Sequence, residues 1–261
     1  MILNKTPLKK GSKKLINAWA FYDWANSVYS LVISSAIFPI YYGLIFSEIN
    51  FISFFGYQIK NTAVISFITA FAFVVVALMS PILSGIADYI GNKKRFMKIF
   101  VYTGSISCVG LYWFELQTIY LGLLFYFFAL IGLWASLVFY NSYLPDIAYP
   151  DQQDFASARG FSYGYIGSVI LLLINLIIIM NPNSFGIEGS GSEASMTAMK
   201  YSFISVGIWW ALFSQYSFYF LPKSNREVKV TKDIFWNGYK ELKLVFKELK
   251  NQTKLKRFLP A

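Results

Sequence analysis

The chain has 261 residues, of which 56% are hydrophobic and only 14% are charged; a soluble domain carries about 25% charged residues, so this composition excludes one. The net charge of +10 comes from basic residues that lie between long apolar runs, which argues against nucleic-acid binding and is typical of a membrane protein. There is no histidine and one cysteine, Cys108, so the sequence excludes His-ligated metals, Ser-His-Asp chemistry and a disulfide framework, and it predicts no metal, no cofactor and no enzyme activity.

We expect residues 1–15 to form a basic N-terminus in the cytoplasm. The apolar run that follows, Ile16–Phe46, is too long for the h-region of a signal peptide, so we expect it to remain as a first span. A membrane helix needs about 20 mostly apolar residues, and six segments meet or approach that length: Asn17–Phe46, Thr62–Ala87, Ile99–Phe114, Thr118–Leu144, Phe161–Met180 and Tyr201–Leu221. The sequence therefore predicts an all-α, polytopic membrane protein with a six-helix domain over residues 16–221.

The first span carries an acidic residue about 10 Å from its start, at Asp23. A charge inside a membrane helix is expensive, so Asp23 is expected to face a cavity or a partner. Tyr22 and Asn26 lie beside it or one turn away. We interpret the three residues as part of a substrate or proton site; the alternative is a structural ion pair or a cap near the membrane surface.

The connection after the second span combines an acid, a glycine and a basic run. Asp88 closes the helix, Gly91 permits a tight turn, and Lys93, Lys94 and Arg95 hold the loop on the cytoplasmic side. The pattern predicts a gating loop. The alternative is an ordinary inside loop with a chance aspartate.

The fourth span ends in polar residues, Tyr140 and Asn141, which we add to the predicted substrate or proton cavity. The connection to the fifth span contains one basic residue, Arg159, which needs an acidic partner. Asp146 is our ion-pair candidate, and the alternatives are Asp23 and Asp154. Three glycines then recur at helical spacing, a pattern that favours close helix packing over a site: Gly160, Gly164 and Gly167.

Basic residues predict the orientation of the spans. Of the 23 Lys and Arg residues, all but Lys60 and Lys200 fall on the side of the N-terminus, so both termini of this chain are expected in the cytoplasm. The Gly- and Ser-rich segment Asn181–Lys200 predicts a mobile external loop. Residues 222–261 predict a basic linker with an amphipathic helix, which lies either on the inner leaflet or against the loops beneath the spans.

The loop with Asp88 and Gly91 resembles the signature loop of the major facilitator superfamily, with Ser84 where the family usually has its first glycine. Several blocks together resemble the vacuole-effluxer branch, which includes an autophagy-related amino-acid effluxer. They are Tyr22–Ser27, Ala87–Tyr89 with the basic loop, Phe139–Asn141 with Leu144-Pro145, and Arg159–Gly160 with Gly164–Gly167.

The resemblance implies a secondary transporter with twelve spans, of which this chain is the N-terminal half. The missing C-terminal six-helix half would be its partner, together with the lipid bilayer and a small-molecule substrate, with amino acids as the leading class. The family's first and fourth spans line the cavity, and its loop aspartate gates movement. Proton coupling through Asp23 is a hypothesis. The alternatives are a non-transporting membrane scaffold or receptor and, less favoured, a membrane-embedded enzyme.

Overall fold

Long helices account for most of the chain. The computed structural model describes residues 8–54, 56–90 and 93–222. The helices in chain order are α1 (Lys13–Val28), a π-helix (Tyr29–Ile37), α2 (Phe38–Ile45), α3 (Asn61–Ile90), α4 (Lys93–Gly110), a 3₁₀ turn (Leu111–Trp113), α5 (Ile119–Ser142), α6 (Leu144–Ile147), α7 (Pro150–Met180), a 3₁₀ turn (Pro182–Phe185) and α8 (Gly191–Phe220). The predicted amphipathic helix of the tail lies outside the described residues.

Four helical segments of the described chain are long and apolar enough to cross a membrane. They are Lys13–Ile45, Asn61–Leu83, Ile119–Ile147 and Pro150–Met180. The other two long helices, α4 and α8, are more polar, since α4 begins with three consecutive basic residues and α8 carries Ser, Tyr and Trp along its length. The described part of the chain is therefore largely helical, and its four long apolar segments are typical of a multi-pass membrane protein.

The first span changes its helical geometry halfway along. Between α1 and α2, nine residues form a π-helix, and the N–H of Phe38 donates to the Ile33 carbonyl, five residues back. Pro39 follows and has no N–H to continue the ladder. Ser35 Oγ reaches back to the Ser30 carbonyl at 2.8 Å. A π-helical segment within an α-helix often lies at a functional site.

A β-hairpin lies in the connection between α2 and α3, which the all-α prediction missed. β1 (Phe51–Phe54) pairs antiparallel with β2 (Tyr57–Lys60), with Ile52 opposite Ile59. Gly56 has a φ of 86° in the turn, a conformation that glycine adopts without steric cost. Tyr120 Oη at the start of α5 donates to the Ser53 carbonyl at 2.7 Å, which anchors the hairpin to that end of the bundle.

Two helices begin about three turns earlier than predicted. α7 begins at Pro150, not Phe161, and the Tyr149 N–H donates to Gln152 Oε1 at 3.1 Å to cap its first turn. α8 begins at Gly191, not Tyr201, so half of the predicted mobile loop is helix. Hydropathy marks where a segment becomes apolar, and a polar helical extension carries no such mark.

The predicted packing role of the glycines on α7 is confirmed. A Cβ on Gly164 would lie 2.4 Å from Ser27 Oγ, and a Cβ on Gly167 would lie 2.8 Å from the Trp24 ring. Both distances are shorter than any ordinary contact, so glycine is what lets α7 approach α1. Gly132 of α5 lies equally close to the backbone of α4. These close crossings fix the azimuth of each helix and so decide which side chains meet.

Candidate functional site

Asp23 lies at the junction of α1, α5 and α7 and accepts two hydrogen bonds. Tyr140 Oη on α5 donates to its Oδ2 at 2.9 Å, and Asn26 Nδ2, one turn further along α1, donates to its Oδ1 at 3.3 Å. Asn26 Nδ2 also lies 2.9 Å from the Tyr22 carbonyl. Four of the five predicted cavity residues are therefore neighbours in space.

Buried contacts from α1 hold Tyr140 in place. Trp19 stacks on its ring at 4.2 Å between centroids, and Trp19 Nε1 donates to its carbonyl at 2.9 Å. Tyr22, which is fully buried, donates through its hydroxyl to Ser136 Oγ of α5 at 2.7 Å. Both tyrosines beside Asp23 are therefore enclosed and hydrogen-bonded.

The backbone of α7 closes over the aspartate. A Cβ on Gly160 would lie 2.3 Å from Asp23 Oδ2 and 3.1 Å from Tyr140 Oη. The four residues thus form a packed cluster between helices, which we call the aspartate cluster: Tyr22, Asp23, Asn26 and Tyr140. The fifth predicted residue, Asn141, has an exposed side chain and does not join it.

The predicted gating residues lie at the end of the bundle where α1 begins, which we call the basic end. Lys93 Nζ forms an ion pair with Asp146 Oδ2 at 2.8 Å and donates to the Ser142 carbonyl at 2.9 Å. Lys94 Nζ donates to the Leu221 carbonyl at the end of α8. Arg95 is exposed on α4. Two lysines of the loop therefore tie α4 to the ends of α5 and α8.

The rest of the predicted gate is not described at side-chain level. Asp88 lies within helix α3, and its side chain is outside the described part of the chain, as is the whole of Gly91. The gating role of the loop stays a prediction.

The predicted ion pair between Arg159 and Asp146 is not formed. Arg159 Nη1 donates instead to Asn17 Oδ1 on α1, and its guanidinium lies 4.7 Å from the centre of the Phe155 ring. Asp146 is occupied by Lys93. The cause is the early start of α7, which places Arg159 about 13 Å along a helix and so beside α1 instead of in a loop beside α6.

Two grooves flank the π-helical part of the first span, and the sequence analysis did not predict either. A groove of about 260 Å³ lies against α7 and is lined by Ser27, Ser30, Leu31, Ser35, Phe161, Gly164, Tyr165 and Ser168. A larger one of about 630 Å³ lies against α3. The sequence pattern that could have indicated these grooves is a set of four serines within nine residues of an apolar run, Ser27–Ser35, followed by Pro39.

A third cavity lies at the opposite end of the bundle, near the hairpin. It has a volume of about 440 Å³ and includes Glu115, Glu193 and Lys200 in its lining. Lys200 Nζ lies 2.5 Å from Glu115 Oε1 and 4.9 Å from the centre of the Tyr112 ring. None of these three cavities is lined by a member of the aspartate cluster, in the part of the chain that the structure describes.

Comparison with known proteins places the chain in a transporter family. The sequence profile of the family "Vacuole effluxer Atg22 like" matches residues 11–261. The "Uncharacterized MFS-type transporter YxiO" of Bacillus subtilis (strain 168) is 36% identical over 207 residues, which cover 79% of this chain and 46% of that protein. An "Uncharacterized protein" of Aquifex aeolicus (strain VF5) is 27% identical over 174 residues, which cover 66% of this chain and 41% of that protein.

The chain spans about half the length of the curated relatives it matches. No solved structure matches it. The family profile nevertheless covers nearly the whole chain, including every described helix. The chain therefore belongs to the Vacuole effluxer Atg22 like family.

Proposed function

We propose that this chain forms the N-terminal half of a secondary active transporter that moves small solutes by alternating access, with amino acids as the leading candidate class. The observation that carries the proposal is the family match over residues 11–261, combined with an MFS-type relative of which the chain covers 46%. In such transporters two halves rock against each other around a site near the bilayer midplane. The second half would be a further six helices.

The six long helical segments support a six-span half. α4 has 18 residues, which at 1.5 Å per residue extend about 27 Å, close to the roughly 30 Å hydrocarbon core. α8 has 30 residues and is longer than needed. With six spans, the basic end and the N-terminus share one side, which the basic-residue bias assigns to the cytoplasm.

The exposed faces of α3 and α7 suit contact with a second half. Phe67, Phe71 and Leu78 project from α3 with 58–67% exposure, and Phe161 and Tyr165 project from α7 with 65–72% exposure. The first span lies against α7 through α1 on one flank, and its π-helix and α2 meet α3 at the larger groove on the other. A second half laid across α3 and α7 would close the grooves into an internal space.

Within this transporter, Asp23 is our candidate for the proton-coupling residue. It is the one acidic residue of the Lys13–Ile45 span, and it connects three helices through Tyr140, Asn26 and the close approach of Gly160. A proton gained or lost there changes hydrogen bonds at a helix junction. Such a change can bias how α1, α5 and α7 pack.

The test is transport by the full-length protein in proteoliposomes. Radiolabelled amino acids are supplied in pools, and uptake is measured with and without an imposed pH gradient. We expect at least one pool to be accumulated, and we expect Asp23→Asn to abolish the response to the gradient. Asp151→Asn, which changes an exposed acid at the start of α7, is the matched control and should transport as wild type.

Two results would count against the proposal. Absence of uptake or counterflow for every pool, in a protein that is folded by its melting temperature, would contradict transport of amino acids. Full gradient-driven uptake by Asp23→Asn would exclude Asp23 as the coupling residue and leave the transport function standing.

A further inference from the structure

The larger groove beside the π-helix has a lining that offers acceptors. It lies between the first span and α3, with a volume of about 630 Å³, and Tyr126 of α5 contributes to it. That volume is within the roughly 300–1,000 Å³ of small-molecule sites and far larger than a metal ion. Its polar lining comes from hydroxyl-bearing residues: Ser34, Tyr42, Thr62, Ser66, Thr69 and Tyr126.

The helix break leaves a carbonyl without its regular donor. In the π-helical register the Phe38 N–H donates to the Ile33 carbonyl. The next donor in that register would come from residue 39, and Pro39 has no N–H to give the Ser34 carbonyl. Both Ser34 and Pro39 line the groove. Broken membrane helices commonly present such carbonyls to a bound cation or solute.

Two of the three α3 hydroxyls that line the groove, those of Ser66 and Thr69, already donate their protons within the helix. Ser66 Oγ donates to the Thr62 carbonyl at 2.8 Å, and Thr69 Oγ1 donates to the Ile65 carbonyl at 2.8 Å. What these oxygens still offer to an occupant is lone pairs. Tyr126 Oη lies 3.3 Å from Thr69 Oγ1, which orients that hydroxyl. Ser66 Oγ and Thr69 Oγ1 are therefore acceptors for an occupant of the groove.

The remaining lining is apolar and aromatic, and none of the described lining residues is charged. Phe38, Tyr42, Phe73 and Tyr126 belong to this lining. Of these four rings Phe73 is exposed, at 45%, and an exposed aromatic face attracts cations. A carboxylate would find no basic residue among the described lining residues. A primary ammonium supplies three hydrogen-bond donors and a positive charge, and so matches both features.

We propose that this groove, walled by Ser34, Pro39, Ser66 and Thr69, is the subsite that receives the ammonium group of the transported solute. The inference rests on the proposed transport function and adds to it the location and polarity of one end of the solute. It assigns no role to the aspartate cluster, which lines no part of this groove.

The test measures binding to the purified full-length protein in detergent, without requiring transport. Four probes of similar carbon skeleton separate the two charged groups: leucine, isopentylamine, N-acetylleucine and 4-methylpentanoate. Each is titrated while the melting temperature is followed. We expect leucine and isopentylamine to raise the melting temperature of the wild type, and the two probes without an ammonium group to leave it unchanged.

Variants then place the effect in the groove. Ser66→Ala and Thr69→Val each remove one acceptor, and we expect each to weaken binding of leucine and isopentylamine about tenfold, the usual size of one hydrogen bond to a charged group. Ser162→Ala is the matched control, because Ser162 Oγ makes the same bond to its own helix, to the Ala158 carbonyl at 2.9 Å, and is exposed away from the groove. The unliganded melting temperature shows whether each variant is folded.

Each of the following results would contradict a stated part of the proposals. Binding of N-acetylleucine or 4-methylpentanoate as tight as that of leucine would overturn ammonium recognition, and so would the absence of any shift. Unchanged leucine binding by folded Ser66→Ala and Thr69→Val would place the site elsewhere. A Thr69-dependent shift by sodium chloride but not choline chloride would assign the groove to a metal cation and overturn the proposal. Amine binding without uptake of any solute would overturn the proposed transport function alone.

Discussion

The carboxyl group of Asp23 depends on neighbours from three helices. Tyr140 and Asn26 donate to it at 2.9 and 3.3 Å, and the absence of a side chain at Gly160 makes room for it. Spacing along α1 was enough to predict that Tyr22, Asp23 and Asn26 lie together. The choice of Tyr140 over the adjacent Asn141 was not predictable, because it depends on the azimuth of α5 relative to α1.

The closeness of Gly160 to Asp23 leads to a stability prediction. Gly160→Ala would place a Cβ 2.3 Å from Asp23 Oδ2, and we expect the overpacking, partly offset by better helix propensity, to destabilise the protein by about 1–2 kcal/mol. Gly43→Ala is the control, since a Cβ there meets nothing within 4 Å. Thermal unfolding of the full-length protein in detergent measures both. Equal melting temperatures for the two variants would contradict the tight crossing of α7 and α1.

At the scale of elements, the starts of α7 and α8 decide much of the charge pairing. Arg159 was expected in a loop beside Asp146, and it lies instead within α7 beside Asn17 of α1. The Asp146 carboxylate pairs with Lys93 of α4. Apolar length predicted the existence of these helices well. It did not predict their polar first turns, which are stabilised by a cap at Tyr149 and by acidic residues near the helix starts.

The contacts of Lys93 predict unequal effects for the two ends of its ion pair. Lys93→Met loses both the Asp146 carboxylate and the Ser142 carbonyl, whereas Asp146→Asn loses only the charge of one partner. We expect Asp146→Asn to cost at most about 1 kcal/mol, as for other partly exposed ion pairs, and Lys93→Met to cost more. Melting temperatures of both variants and of the double variant measure this. An effect of Lys93→Met no larger than that of Arg95→Met, at an exposed position of α4, would contradict it.

At the scale of the whole molecule, the basic end and the hairpin lie at opposite ends of the helix bundle. The basic end brings together the start of α1, the start of α4 and the α6 turn, where the Gly11 N–H donates to the Ile147 carbonyl at 2.8 Å. The opposite end carries the hairpin and the ion pair between Lys200 and Glu115. The proposed six crossings with alternating connections require this separation.

The separation predicts the labelling pattern of introduced cysteines. Cys108 is fully buried and should not react, so single cysteines can be added to the native chain. We expect Gly56→Cys and Asn183→Cys to react with a membrane-impermeant maleimide in intact cells, and Asp151→Cys to react only in inverted vesicles. Labelling of Asp151→Cys in intact cells, or of Gly56→Cys and Asn183→Cys from opposite sides, would contradict six crossings with a cytoplasmic N-terminus.

Composition and pattern by themselves determined that this is a helical membrane protein, where its apolar segments lie and which transporter family it resembles. Hydropathy, charge bias and short motifs are local properties, so a sequence carries them directly. The tertiary structure decided the pairing of Lys93 with Asp146, the closure of Gly160 over Asp23 and the grooves beside Ser27–Ser35. Each of these depends on how helices rotate and cross, and that is set by contacts between residues far apart in the chain, such as Trp19 and Tyr140.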